Sequence, residues 1–230
     1  MALATPDARP RIGIVACEIL KREIEMLTKD DPDFVHREYL EFALHIDSAV
    51  LKQKVTEKVE SLKGKVDAVF LGYAVCQSLK GIAKTLSVPT VMLDSDDCIG
   101  VLITPEEYER EKRVCTGTWF SSPGWAELGF EGAVKELHLD VMKSEGYEPI
   151  YFLKMLFEGY KRSLYVDTGT GDKEAFVGRA KDFASALNLR HEERDCNMRE
   201  LKKAIARAKE LARKECIKTA ASSEQVESTA

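Results

Sequence analysis

Four of the six cysteines stand where a strand-forming run gives way to a helix-forming one. Cys17 follows Ile12-Gly13-Ile14-Val15-Ala16, and Cys76 follows Ala68-Val69-Phe70-Leu71-Gly72-Tyr73. Cys98 follows Val91-Met92-Leu93 and the acidic turn Asp94-Ser95-Asp96-Asp97, while Cys196 follows the polar run from Arg190 to Asp195. In an open parallel sheet the carboxyl ends of the strands share one edge, where ligands bind. Thiols far apart in sequence then converge, and converged thiolates bind soft metals or do redox and nucleophilic work. Cysteine is also a small, commonly buried hydrophobe, which explains any single one of them better than it explains four coincident strand ends. None of the spacings is a CxxC pair, so the fold itself must assemble any ligand set. Cys115 precedes its strand and belongs at the opposite edge, and Cys216 lies at a helix end.

Other residues cluster near the same edge. His45 follows the expected second strand and is an alternative to Cys196 for completing a metal shell, although a hydrogen-bonded loop histidine explains it equally well. His36, His138 and His191 lack such a position. Asp96 and Asp97 sit beside Cys98, and Glu18 beside Cys17, so Asp97 and Glu18 are candidate acid–base groups. A capped helix start with solvated acids is the competing explanation. Thr116-Gly117-Thr118-Trp119-Phe120-Ser121-Ser122-Pro123-Gly124-Trp125 brings aromatics to a strand end, and Trp125 after Pro-Gly suits a pocket wall. Asp167-Thr168-Gly169-Thr170-Gly171-Asp172 resembles an anion-holding loop, with Thr168 and Gly169 its candidate contacts. It lacks the lysine of a P-loop and carries Asp172 and Glu174, so a turn with a helix cap is favoured.

The elements that must position these residues alternate between strand and helix. Strands are expected at 11–16, 40–45, 67–73, 90–94, 116–121, 163–167 and 190–195, with helices at 18–27, 48–62 and 77–86, from 105, and at 173–187. A mostly helical stretch runs from Trp125 to about Lys161, broken near Gly146–Pro149. A long helix capped by Asn197 and Glu200 is expected to end near Lys214. This order implies an α/β fold of mainly parallel sheets with helices on both faces. Two Rossmann-like halves around a cleft fit the spacing: 11–115 and 116–216, with a disordered lead at 1–10 and a disordered tail at 217–230.

Composition excludes several classes. Asp and Glu (39) outnumber Lys and Arg (34), the net charge is −5, and the basic residues are interspersed, which argues against nucleic acid. No apolar run approaches the roughly 20 residues of a membrane span. The first ten residues lack the pattern of a secretory signal, so a cytoplasmic protein with reduced thiols is expected.

Taken in order, Ala16-Cys17-Glu18-Ile19-Leu20, Leu71-Gly72-Tyr73-Ala74-Val75-Cys76 and Asp97-Cys98-Ile99-Gly100-Val101-Leu102 form a pattern. Gly117-Thr118-Trp119-Phe120, Ser122-Pro123-Gly124-Trp125 and Val166-Asp167-Thr168-Gly169 extend it. The set resembles domain-of-unknown-function family 1638, known from archaea and anaerobic bacteria, over roughly residues 11 to 200. The chain departs from the family pattern after Tyr73, where a glycine-rich motif is usual, and at its charged C-terminus. The resemblance implies a core of Cys17, Cys76 and Cys98, and a context of corrinoid-dependent methyl transfer. The expected cofactor is zinc, which would activate a thiol, or an iron–sulfur cluster with one iron left for substrate. The expected partners are a small-molecule ligand and a corrinoid protein or methyltransferase. A non-catalytic binding or accessory module for such a system is the alternative.

Overall fold

The computed structural model describes residues 9–42, 44, 47–74, 79–141 and 146–227. β1 (Ile12–Cys17) lies between β2 (Phe34–Leu40) and β3 (Ala68–Gly72), and β4 (Thr90–Met92) pairs beyond β3. The first sheet therefore runs β2-β1-β3-β4, and all its pairings are parallel. Parallel neighbours need crossover connections. A 3-10 turn at Glu18–Leu20 followed by α1 (Lys21–Thr28) makes the first, and α2 (Ser48–Glu60) the second.

Side chains on the central strands alternate between two cores, as the period of two requires. Ile12, Ile14 and Ala16 of β1 join Ala68 and Phe70 of β3 on one face, while Val15, Val69 and Leu71 meet Leu51, Val55 and Val59 of α2 on the other.

α3 (Cys98–Ile103) and α4 (Pro105–Val114) lead to a second parallel sheet, β5-β6-β7. Its strands are β5 (Thr118–Ser121), β6 (Arg162–Asp167) and β7 (Arg190–Asp195). α5 (Pro123–Glu136) and α6 (Pro149–Leu156) separate β5 from β6, and α7 (Lys173–Ala186) separates β6 from β7. The final helix, α8 (Arg199–Glu227), follows the second sheet in sequence but packs on the first. Its Leu201, Ala204, Ile205 and Ala208 complete the core over Ile12, Ile14 and Phe70. The molecule is thus α/β, with two mainly parallel sheets. Among the described residues no helix is long and apolar enough to cross a membrane.

Three elements differ from their sequence expectation. The second strand is 34–40, not 40–45. As an edge strand it pairs only with β1 and keeps polar His36, Arg37 and Glu38 half-exposed, so it lacks the apolar run that marks a buried strand. In the expected helix 77–86, the described part contains only a 3-10 turn at Ile82–Lys84. α8 continues past Lys214 to Glu227, through residues expected to form a tail; no glycine or proline stops it there.

Candidate functional site

The strand order of the first sheet reverses between β1 and β3, and a crevice opens at that point beyond their carboxyl ends. β1 ends on Cys17, and the backbone turns at once into the Glu18–Leu20 segment. β3 ends on Gly72, with Tyr73 and Ala74 beyond it. From β4 the chain reaches α3, whose first residue is Cys98. The Asp97 carboxylate caps that helix, accepting the Ile99 N–H at 2.6 Å, and the Ser95 hydroxyl donates to the Asp97 carbonyl at 2.9 Å. Sequence distance of 81 residues thus collapses, and Cys17 and Cys98 line one cavity of about 180 Å³.

The second half supplies a wall. Gly124, in the first turn of α5, sits directly on the Ile19 carbonyl; a methyl group there would stand 3.0 Å from the Ile19 carbonyl carbon and 3.1 Å from its Cα. This close approach brings the next residue, Trp125, to the cavity that Cys98 also lines. The ring is held by edge contacts with Phe42 at 5.7 Å and Trp119 at 5.4 Å. Burial pushes the Cys98 thiol well above its ordinary pKa, and the charges of Asp97 and Cys17 push it further. The indole N–H acts the other way, because it stabilises the thiolate.

The other candidates occupy different places. Asp97 and Trp125 line the cysteine cavity. Glu18 points to a second, larger cleft of about 610 Å³ between α1, α5 and the loop after β6, and its Oε1 accepts the Phe42 N–H at 3.0 Å. Gly169 also lines that cleft. Its N–H donates to Asp167 Oδ1 at 2.8 Å, and Thr168 Oγ1 donates to Glu23 Oε1 at the same distance. Cys196 follows β7, donating its backbone N–H to the Asp167 carbonyl at 3.1 Å. Burial raises its thiol pKa to about 11, and Glu23 and Asp167 are the acids that add to the effect. Cys115, at the end of α4, precedes β5, and its Sγ contacts the Gly117 carbonyl at 3.7 Å. Cys76 and His45 lie outside the described residues. Among the described residues no three His, Cys, Asp or Glu side chains form a metal-holding group.

Glu23 was not legible as a functional residue. It is fully buried in α1, and its Oε1 also receives Thr170 Oγ1 at 3.4 Å, so one carboxyl ties the first half to the loop after β6. Oε2 has no partner among the described residues, and burial raises the pKa of the group. The available signal was an acid between Arg22 and Ile24 at a helical position that faces the core.

A family model described as protein of unknown function (DUF1638) matches residues 39–205. The matched segment contains Cys76, Cys98, Cys196 and Trp125 and begins after Cys17. A search of the curated proteins finds no match.

Proposed function

Because the chain belongs to domain-of-unknown-function family 1638, we propose that it binds a soft metal through cysteine thiolates at the edge of its first sheet. Its role is then in methyl transfer. The observation that carries this reading is the meeting of Cys17 and Cys98 in one cavity at the switch point. The donor set fits zinc or an iron–sulfur cluster. Two soft donors line one space, where burial, and then the charges of Asp97 and Cys17, raise the Cys98 pKa. Cys17 and Cys98 would hold the metal, with Cys76, which lies outside the described residues, as the third thiol. When bound, the metal supplies a positive centre that keeps sulfur as thiolate near neutral pH. The chain's own contributions are distinct: the Trp125 indole favours the Cys98 thiolate, and Leu20 and Leu51 supply apolar walls.

Purification without oxygen, followed by metal analysis and an absorption spectrum, tests the reading. Zinc or an iron–sulfur chromophore should be present and should be lost from both Cys17→Ser and Cys98→Ser. A folded, metal-free protein whose thiols titrate freely would end it. Methyl transfer from a methylcorrinoid to a thiol is the activity to assay, with the same two variants as controls.

A second reading, a non-catalytic small-molecule-binding or accessory module, draws on the larger cleft with Lys21, Arg22 and Lys29 on its α1 side. Ligand or corrinoid-protein binding that survives Cys17→Ser and Cys98→Ser would favour it.

A further inference from the structure

The charge and polarity of the cysteine cavity restrict which molecules it admits. No lysine or arginine is among the described residues that line it. The charged groups on the cavity are Asp96 and Asp97, with Tyr73 and Trp125 as aromatic walls and Leu20 and Leu51 as apolar ones.

These features select by elimination. An anion entering the cavity would give up its hydration and meet the carboxylates of Asp96 and Asp97 with no lysine or arginine among the described lining residues. A strongly hydrated organic cation would leave its water against leucine. A cation covered in alkyl groups meets neither penalty. Aromatic faces and carboxylates attract its diffuse charge, and the apolar walls cover its alkyl surface. Size agrees: a cavity of about 150 Å³ holds a molecule as large as benzene, and this one is about 180 Å³.

We propose that the cavity binds a small alkylated onium ion, a quaternary ammonium or a sulfonium, with Tyr73 and Trp125 against its alkyl groups and Asp96 and Asp97 balancing its charge. Binding of this ion rests on the cavity's own lining and requires no metal.

Three probes of similar branched shape differ in charge: tetramethylammonium, neopentyl alcohol and pivalate. Each is titrated into the full chain, as purified and after metal removal, while the indole N–H resonance of Trp125 is followed. That resonance is assigned by its loss in Trp125→Phe. Tetramethylammonium should shift it saturably in at least one of the two forms. Neopentyl alcohol should bind about tenfold more weakly or worse, and pivalate should not saturate. Asp97→Asn keeps the helix cap, since asparagine caps as well as aspartate, and should weaken tetramethylammonium about tenfold; exposed Asp96→Asn should act in the same direction. Trimethylsulfonium binding in parallel identifies which heteroatom the site prefers. Pivalate or neopentyl alcohol binding as tightly as tetramethylammonium would overturn the proposal, as would unchanged affinity in both Asp variants. So would the absence of a saturable shift with either onium ion. Metal retained without onium binding removes this inference alone. Onium binding in a chain that never holds metal removes the metal reading and leaves this one standing.

Discussion

Gly124→Ala tests whether the two halves must meet this closely to build the cysteine cavity. The added methyl would stand 3.0 Å from the Ile19 carbonyl carbon and 3.1 Å from its Cα, both of them backbone. Comfortable carbon–carbon separations are about 3.5–4.0 Å, so α5 must retreat by roughly 0.5–1 Å. Overpacking of this kind costs about 1–3 kcal/mol. Alanine also favours helix over glycine by up to about 1 kcal/mol, which would mask part of the loss. Gly178→Ala measures that gain alone, because Gly178 lies within α7 and a methyl there meets nothing within 4 Å. At about 2–4 °C per kcal/mol for a chain of this size, Gly124→Ala should melt roughly 2–12 °C below Gly178→Ala. The retreat also draws the Trp125 N–H away from Cys98, so Cys98 should alkylate more slowly at fixed pH. Thermal denaturation and timed iodoacetamide labelling read the two effects. A Gly124→Ala chain that melts with Gly178→Ala and labels Cys98 at the native rate would refute the reasoning.

Trp125→Phe removes the donor to Cys98 while retaining a ring, and should raise the Cys98 pKa; Cys17→Ser removes a neighbouring charge and should lower it. The pH dependence of labelling in the two variants should therefore move in opposite directions. For Glu23, burial raises the folded-state pKa above the ordinary 4.5, so its contribution to stability is fully present below pH 4.5 and is lost as pH rises through the raised value. Glu23→Gln keeps an acceptor for Thr168 and cannot ionise. It should flatten that loss and raise the melting temperature at neutral pH, by about 2–4 °C for each kcal/mol recovered; an unchanged pH profile would show that the carboxyl is not the titrating group. Arg162 is 2% exposed and holds Glu111 at 2.8 Å and Glu192 at 3.0 Å. Arg162→Met takes one partner from each acid, while Arg194 still holds Glu111 at 3.0 Å and Arg190 holds Glu192 at 2.6 Å, and should cost about 1–3 kcal/mol, measured by urea denaturation.

Several elements were legible because their burial is written into local composition. β3 and β6 are buried along their whole length, and Val69-Phe70-Leu71 and Leu164-Tyr165-Val166 read as continuous apolar runs. The caps Asp97 and Asp172 were visible as short acids before a helix, where a side-chain oxygen meets an orphan N–H. The α/β class followed from the alternation of such segments. Placement of Cys17 at the end of β1 and of Cys98 behind an acidic turn after β4 was likewise a local matter.

Tertiary structure decided the rest. Which strand neighbours which depends on crossover packing, and only the order β2-β1-β3-β4 makes the crevice fall between Cys17 and the end of β3. α8 reads as an ordinary amphipathic helix following β7, yet its apolar stripe is buried on the first sheet, a choice governed by available surface and not by sequence proximity. Cys196 directly follows its strand, whereas Cys17 is the last residue of β1; β7 belongs to the other sheet, and the charged surroundings of Cys196 are Glu23, Asp167 and Arg194. Glu23 has the composition of a solvent-facing acid and becomes buried only because Thr168 and Thr170, some 145 residues further on, close over it. Local sequence carries periodicity, caps and strand ends, because those depend on neighbours a few bonds away. The meeting of Trp125 with Cys98 depends on two surfaces fitting across the molecule, and that information exists only once both have folded.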